Sequence, residues 1–285
     1  MIAGASTNTG HDKQHQQIQK MIISINIIRL IFIFLLLTAG SSVHASEKER
    51  LLFSYIPGVR HVAVRDYAYS PLLYSGVQGM YKVAYSSERP GISDHISFSF
   101  AAGNLSNTWD KRMRPVGGTI QTYTFYHAQS DPEEGFHWGW SNHNAFETRD
   151  IQDIGNFNNR SEYFTSFGPA MRYRLPFPLF DRSFRVEVLA DLQLLGFKLQ
   201  SSYVTSTPTG FAEPAYSGME AFLRSIELFY PGNAWNVGIQ PSLRYNMKNG
   251  NMLCISYRYE YLWLKGAHIT ESSSGSWHFG VITRL

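Results

Sequence analysis

A single cysteine in 285 residues, Cys254, leaves no partner for an intrachain disulfide, so no covalent staple can hold this fold. Its simplest role is that of a small buried filler. Charge of one sign is also scarce. The chain has 25 basic and 22 acidic side chains, a formal net charge of +3, and the two signs are interspersed, which argues against nucleic acid as a partner. No apolar run is long enough for a membrane-spanning helix, because the best one, near the N-terminus, is interrupted by Arg29. Acidic residues at Glu147, Asp150 and Asp153 lack the ordered ligand spacing of a calcium loop, so neither a metal nor a cofactor is expected.

What the chain does have is aromatic residues, 15% of the total, beside only 16% charged residues and a slightly negative mean hydropathy. That mixture suits strands with one face in lipid and the other on a polar lumen. The pattern is clearest in the last third. Trp235, Val237, Ile239, Leu243 and Tyr245 alternate with Asn236, Gly238, Gln240, Ser242 and Arg244, a period of two. After a turn at Asn249-Gly250, Leu253, Ile255, Tyr257, Tyr259, Tyr261 and Trp263 alternate with Cys254, Ser256, Arg258 and Glu260. Trp277, Phe279 and Val281 repeat it to the final Leu285. Alternation alone fits a soluble sandwich as well as a barrel. Strands of about ten residues, aromatic crowding at strand ends and alternation into the last residue favour the barrel.

The fold expected is therefore all-β, an antiparallel transmembrane β-barrel of about ten strands within a range of eight to twelve. Residues 1–20 are polar and aperiodic, and Met21 reads as the true start. Residues 21–45 have the form of an export signal: Arg29 closes the basic region, Leu30 to Thr38 is apolar, and Val43-His44-Ala45 is the cleavage site. No cysteine follows that could carry a lipid anchor. Residues 46–73 read as a periplasmic extension or one extra hairpin, and residues 74–285 as the barrel. Within it, Pro176-Phe177-Pro178 should break pairing, Met219 to Tyr230 is expected to be a strand, and Ser201 to Gly218 a long loop. Ten strands counted this way put that loop on the side of the termini, opposite to the usual asymmetry of such barrels.

The polar faces carry Lys82, Arg172, Arg174, Arg185, Glu187, Asp191, Arg244, Arg258 and Glu260, all expected to face the lumen. In a narrow interior they would pair with one another, and a selective pore is the sharper alternative. The densest chemical grouping is His137-Trp138-Gly139-Trp140-Ser141-Asn142-His143. His137 and Ser141 share a face about 13 Å apart, and His143 lies about 7 Å from Ser141, both far for direct proton transfer. An aromatic belt with polar neighbours is the plainer reading of that segment.

The last segment resembles the C-terminal targeting strand of bacterial outer-membrane proteins, with Leu285 where a Phe or Trp is usual. Residues 74–285 as a whole resemble bacterial outer-membrane β-barrel proteins in general rather than one characterised family. That resemblance implies outer-membrane lipid and the outer-membrane insertion machinery as partners, and a structural, adhesive or transport-linked role. Two alternatives stand beside it: a narrow solute channel and a lipid hydrolase. Ser141-Asn142 is similar to a feature of outer-membrane phospholipases and lipid A deacylases. Their His-x-Ser-Asn order is absent, so His137, Ser141 and His143 are candidates only and no catalytic role is carried over.

Overall fold

A computed structural model of the chain describes residues 49–67, 70–127, 134–151, 159–180, 182–200, 224–266 and 268–285. The expected leader, the start at Met21 and the loop Ser201 to Gly218 lie outside the described residues. Twelve strands form a single antiparallel sheet: β1 (Arg50–Asp66), β2 (Ser70–Arg89), β3 (Ile92–Ser106), β4 (Arg112–Tyr126), β5 (Gly135–Ile151), β6 (Asn159–Leu179), β7 (Arg182–Gln193), β8 (Leu195–Gln200), β9 (Glu227–Phe229), β10 (Ala234–Asn246), β11 (Met252–Lys265) and β12 (Ile269–Arg284). β7 and β8 run along the same neighbour, β6, and meet at a bulge after which the inward residues change from odd (Gln193) to even (Lys198). β9 and β10 likewise form one stave, bent by a turn in which the N–H groups of Asn233 and Ala234 donate to the Tyr230 carbonyl. The result is a closed barrel of ten staves. It closes where β1 pairs with β12 from Leu52↔Arg284 to Asp66↔Thr270, and the Leu285 N–H donates to the Leu51 carbonyl.

Three details correct the sequence reading. The described part of residues 46–73 is neither extension nor extra hairpin, because Arg50–Asp66 is the first stave and the boundary at 74 falls inside β2. Met219 to Tyr230 is not a separate strand: within its described part only Glu227–Phe229 is extended, and it belongs to the stave of β10. One stave missed and one added cancel in the count. With the correct order, the connection between β8 and β9 leaves from the end opposite the termini, and the loop asymmetry is the usual one. Third, Pro176 and Pro178 stay paired with Arg185 and Ser183. β5 has already ended there, opposite Arg174, so their missing N–H groups face an open edge.

Side chains are sorted by height as well as by face. In the part of the barrel nearer the termini, Phe53, Tyr81, Phe98, Trp138, Met171, Leu253 and Trp277 point outward and are exposed, while serines, arginines and carboxylates fill the inside. This is the arrangement lipid selects. Farther from the termini the phase inverts. Val62, Val64, Tyr74, Leu105, Met113 and Ile151 form a buried apolar cluster inside, and Arg65 pairs with Glu271 outside, with Arg112, Arg114 and Asp150 exposed. Strands of 15 to 17 residues such as β1, β3 and β5 exceed the 9–11 or so that cross a bilayer, so this end projects beyond it. Two turns at the terminal end are short. Pro90-Gly91 links β2 to β3 with Gly91 at φ 81°, and Met247–Asn251 links β10 to β11 with Gly250 at φ 84°.

Candidate functional site

The lumen is crossed by three layers of polar side chains. Nearest the termini, Arg174 bridges Glu88 (2.7 Å) and Glu187 (2.6 Å), and Arg244 also binds Glu187. Arg172 donates to Ser93 Oγ (2.6 Å) and His137 Nδ1 (3.0 Å) and lies over the Phe125 ring. Arg185 is fully buried beside Met252. Below it Leu52, Met252, Cys254 and Ile282 make an apolar cluster, so Cys254 is packed as a small hydrophobe.

In the middle layer Arg258 donates to both oxygens of Asp191 (3.0 and 3.3 Å) and to Glu260 (2.7 Å). Tyr123 donates to Asp191 (3.2 Å) and lies 3.1 Å from His143 Nε2, and Gln121 donates to Glu260. Gly238 makes room for this layer. A Cβ there would stand 2.4 Å from an Arg258 nitrogen and 3.0 Å from Asp191. Lys82 is buried in the same region.

The outer layer lies in the projecting end. Arg149 bridges Asp66 (3.2 Å), Glu147 (2.7 Å) and Glu162 (2.9 Å), and Glu162 also accepts from Gln200 and Thr270. Burial pushes the Glu162 carboxyl up, but Arg149, His268 and Gln200 together outweigh it and hold the group at about 2. Asp66, Glu162 and His268 bring one ligand atom each to within 4.8 Å of one another, a spacing that could suit a metal. The donor set does not fit one as it stands. Arg149 already supplies the cation to both carboxylates, and His268 Nδ1 accepts from Arg160, which leaves the ring proton on Nε2 facing the acids.

All nine charged residues singled out from the alternation thus have an inward position in these layers, Arg244 and Glu260 being the least enclosed. His137, Ser141 and His143 are buried on the inner face of β5, yet they do not form a nucleophile and base. Ser141 Oγ accepts from Gln193 and donates to the Gly168 carbonyl, whereas His143 is engaged by Tyr123 and Asp191. Glu147 points inward to Arg149 and Asp150 lies exposed, so these two do not converge on an ion. Sequence reading missed Tyr123, Glu88 and, Glu147 aside, the outer layer. The signal available was the inverted alternation of Val62, Val64 and Asp66.

No protein-family model matches this chain, and no curated protein sequence does so at a significant level. Solved structures do. The outer membrane protease OmpT from Escherichia coli is similar over 86% of this chain and 99% of its own, with TM-score 0.51 and 6% identity. Ail, the attachment invasion locus protein of Yersinia pestis, aligns over 82% of this chain and 99% of its own at TM-score 0.36 and 10% identity. Neisserial surface protein A aligns over 82% and 97% at TM-score 0.32 and 9% identity. These structures are bacterial outer-membrane β-barrels, and no specific family is found among them. At such identity the likeness to OmpT speaks for the barrel fold alone.

Proposed function

We propose that this chain is an integral β-barrel of the bacterial outer membrane that does not conduct, and that its role, adhesive or scaffolding, is exercised through the projecting end opposite the termini. In this reading residues 21–45 are the cleaved export signal and the C-terminal strand engages the insertion machinery. One observation carries it: two successive lumen layers, Arg174 with Glu88 and Glu187, then Arg258 with Asp191 and Glu260, are joined across the barrel by direct ion pairs. A small barrel with its interior so filled leaves no aqueous path. The hydrolase alternative is less well supported, since Ser141 faces inward and has no histidine partner among the described residues.

The decisive experiment inserts the refolded protein into planar bilayers, with heat-dependent gel mobility to verify folding. Silence is expected, and a steady unitary conductance would sink the reading. Orientation is tested separately by an epitope placed after Gly210. Staining of intact cells is the expected result, and staining only after permeabilisation would reverse the topology.

A further inference from the structure

Between the middle and outer layers the lumen contains a cavity of about 90 Å³. One wall, on β3 to β5, mixes small residues such as Ser99, Ala101 and Thr119 with Phe146, Glu147 and Arg149. The other, on β1, β2, β11 and β12, presents Arg60, Lys82, Arg258, Ser274 and His278. Their register makes this one continuous patch: Arg60 and Arg258 both lie opposite Ser276, His278 lies opposite Gly58, and Lys82 lies opposite Ile56 on the same strand as Gly58.

Unpartnered polar atoms occur in the other layers as well, Arg172 Nε and Arg244 Nε among them, but around this cavity they cluster. The carboxylates lining the cavity are already claimed, Glu147 and Glu162 by Arg149 and Glu260 by Arg258. The donors are only partly used. Among the described residues, Arg258 Nη1, Arg60 Nε, Ser274 Oγ and both ring nitrogens of His278, of which a neutral ring offers one as donor, have no hydrogen-bond partner, and neither does the acceptor Asn236 Oδ1. Lys82 forms neither a hydrogen bond nor an ion pair among the described residues, although it is 8% exposed. His278 and Ser274 are 2% and 3% exposed, so bulk solvent does not serve them. Buried polar atoms left without partners are costly and rare, and several around one cavity are not accounted for by packing.

We propose that this cavity binds a small tetrahedral oxyanion, phosphate or sulfate, held by Lys82, Arg60, Arg258 and His278. Such an ion offers several acceptor oxygens to donors that converge from different strands, and charge-assisted hydrogen bonds are the strong ones. Its size suits the cavity, which has room for roughly three waters at about 30 Å³ each. A carboxylate ligand from the protein would have to come from Glu147, Glu162 or Glu260, and all three are engaged. The site is independent of what the projecting end binds, because it lies inside the barrel.

The full chain, refolded in detergent, is titrated calorimetrically with inorganic phosphate and with sulfate at constant ionic strength, chloride serving as the background anion. One saturable site per chain is expected for either oxyanion. Lys82→Gln should weaken it about tenfold or more, the loss of one charge-assisted contact, with Arg60→Gln as the second variant. Neither side chain forms a salt bridge with a carboxylate among the described residues, and heat-dependent gel mobility verifies that each variant is folded. Arg112→Gln on the outer surface should leave binding unchanged. Absence of a saturable signal in the folded wild-type protein would overturn the proposal. So would binding that survives both lumen variants or disappears with Arg112→Gln, since the ion would then sit on the exterior.

Discussion

The two ends of this barrel place their apolar side chains differently. Near the termini the greasy side chains face out and the charged ones face in. In the projecting end Val62, Val64, Leu105 and Met113 join the buried charges of Asp66, Arg149 and Glu162 inside, and Arg65, Arg112, Arg114 and Glu271 face out. The same strands carry both arrangements, so the change lies in the surroundings rather than in the backbone. Lipid rewards outward apolar area in one zone, and water rewards inward burial in the other.

This comparison can be broken from either side. The largest effect is expected from Asp191→Ala in the lipid-facing zone. It leaves the buried Arg258 guanidinium with Glu260 as its one carboxylate partner and removes the acceptor of Tyr123, and should cost about 3 kcal/mol in reversible unfolding from liposomes. Next comes Leu105→Ala in the projecting core, expected to cost about 3 kcal/mol by leaving a cavity. That cost should be the same in thick and thin bilayers, because the residue lies outside both; dependence on lipid length would refute the inversion.

A third test uses pH. The Glu162 carboxyl is depressed in the folded protein to about 2, from an ordinary value of 4.5. Its contribution is therefore fully present above about pH 5 and fades as pH falls from 4.5 through 2. Glu162→Gln should flatten the acid limb of the stability curve, leaving any remaining slope to other acids. The smallest effect belongs to the exposed pair of Arg65 and Glu271, 3.6 Å apart: Arg65→Gln should change stability by less than about 1 kcal/mol. A larger loss would mean that this surface is not in water.

The same inversion explains what could be read from the sequence. β10, β11 and β12 were legible because Trp235 to Tyr245, Leu253 to Trp263 and Trp277 to Val281 keep one apolar phase over their length. β1 was not, because its apolar residues switch from Phe53 and Tyr55 outside to Val62 and Val64 inside, with Pro57-Gly58 between. An alternation that changes phase midway looks like no strand at all. The inward charges could be listed from parity, but not their partners. Arg149 reaches Asp66 across 83 residues of chain, and Arg160 reaches His268 across 108. His137, Ser141 and His143 show the converse limit, since a shared face did not bring them into contact.

The seam between β1 and β12 also sets the order of events in assembly. Its two strands are the first and last of the barrel to be synthesised, so every other stave must exist before the ring can close. Until then both seam strands offer unpaired backbone groups along their whole length, a surface ready to join any other extended chain. Contacts so distant in sequence form slowly. Loss of a few residues at Leu285 would therefore prolong that open interval more than it would weaken the finished ring.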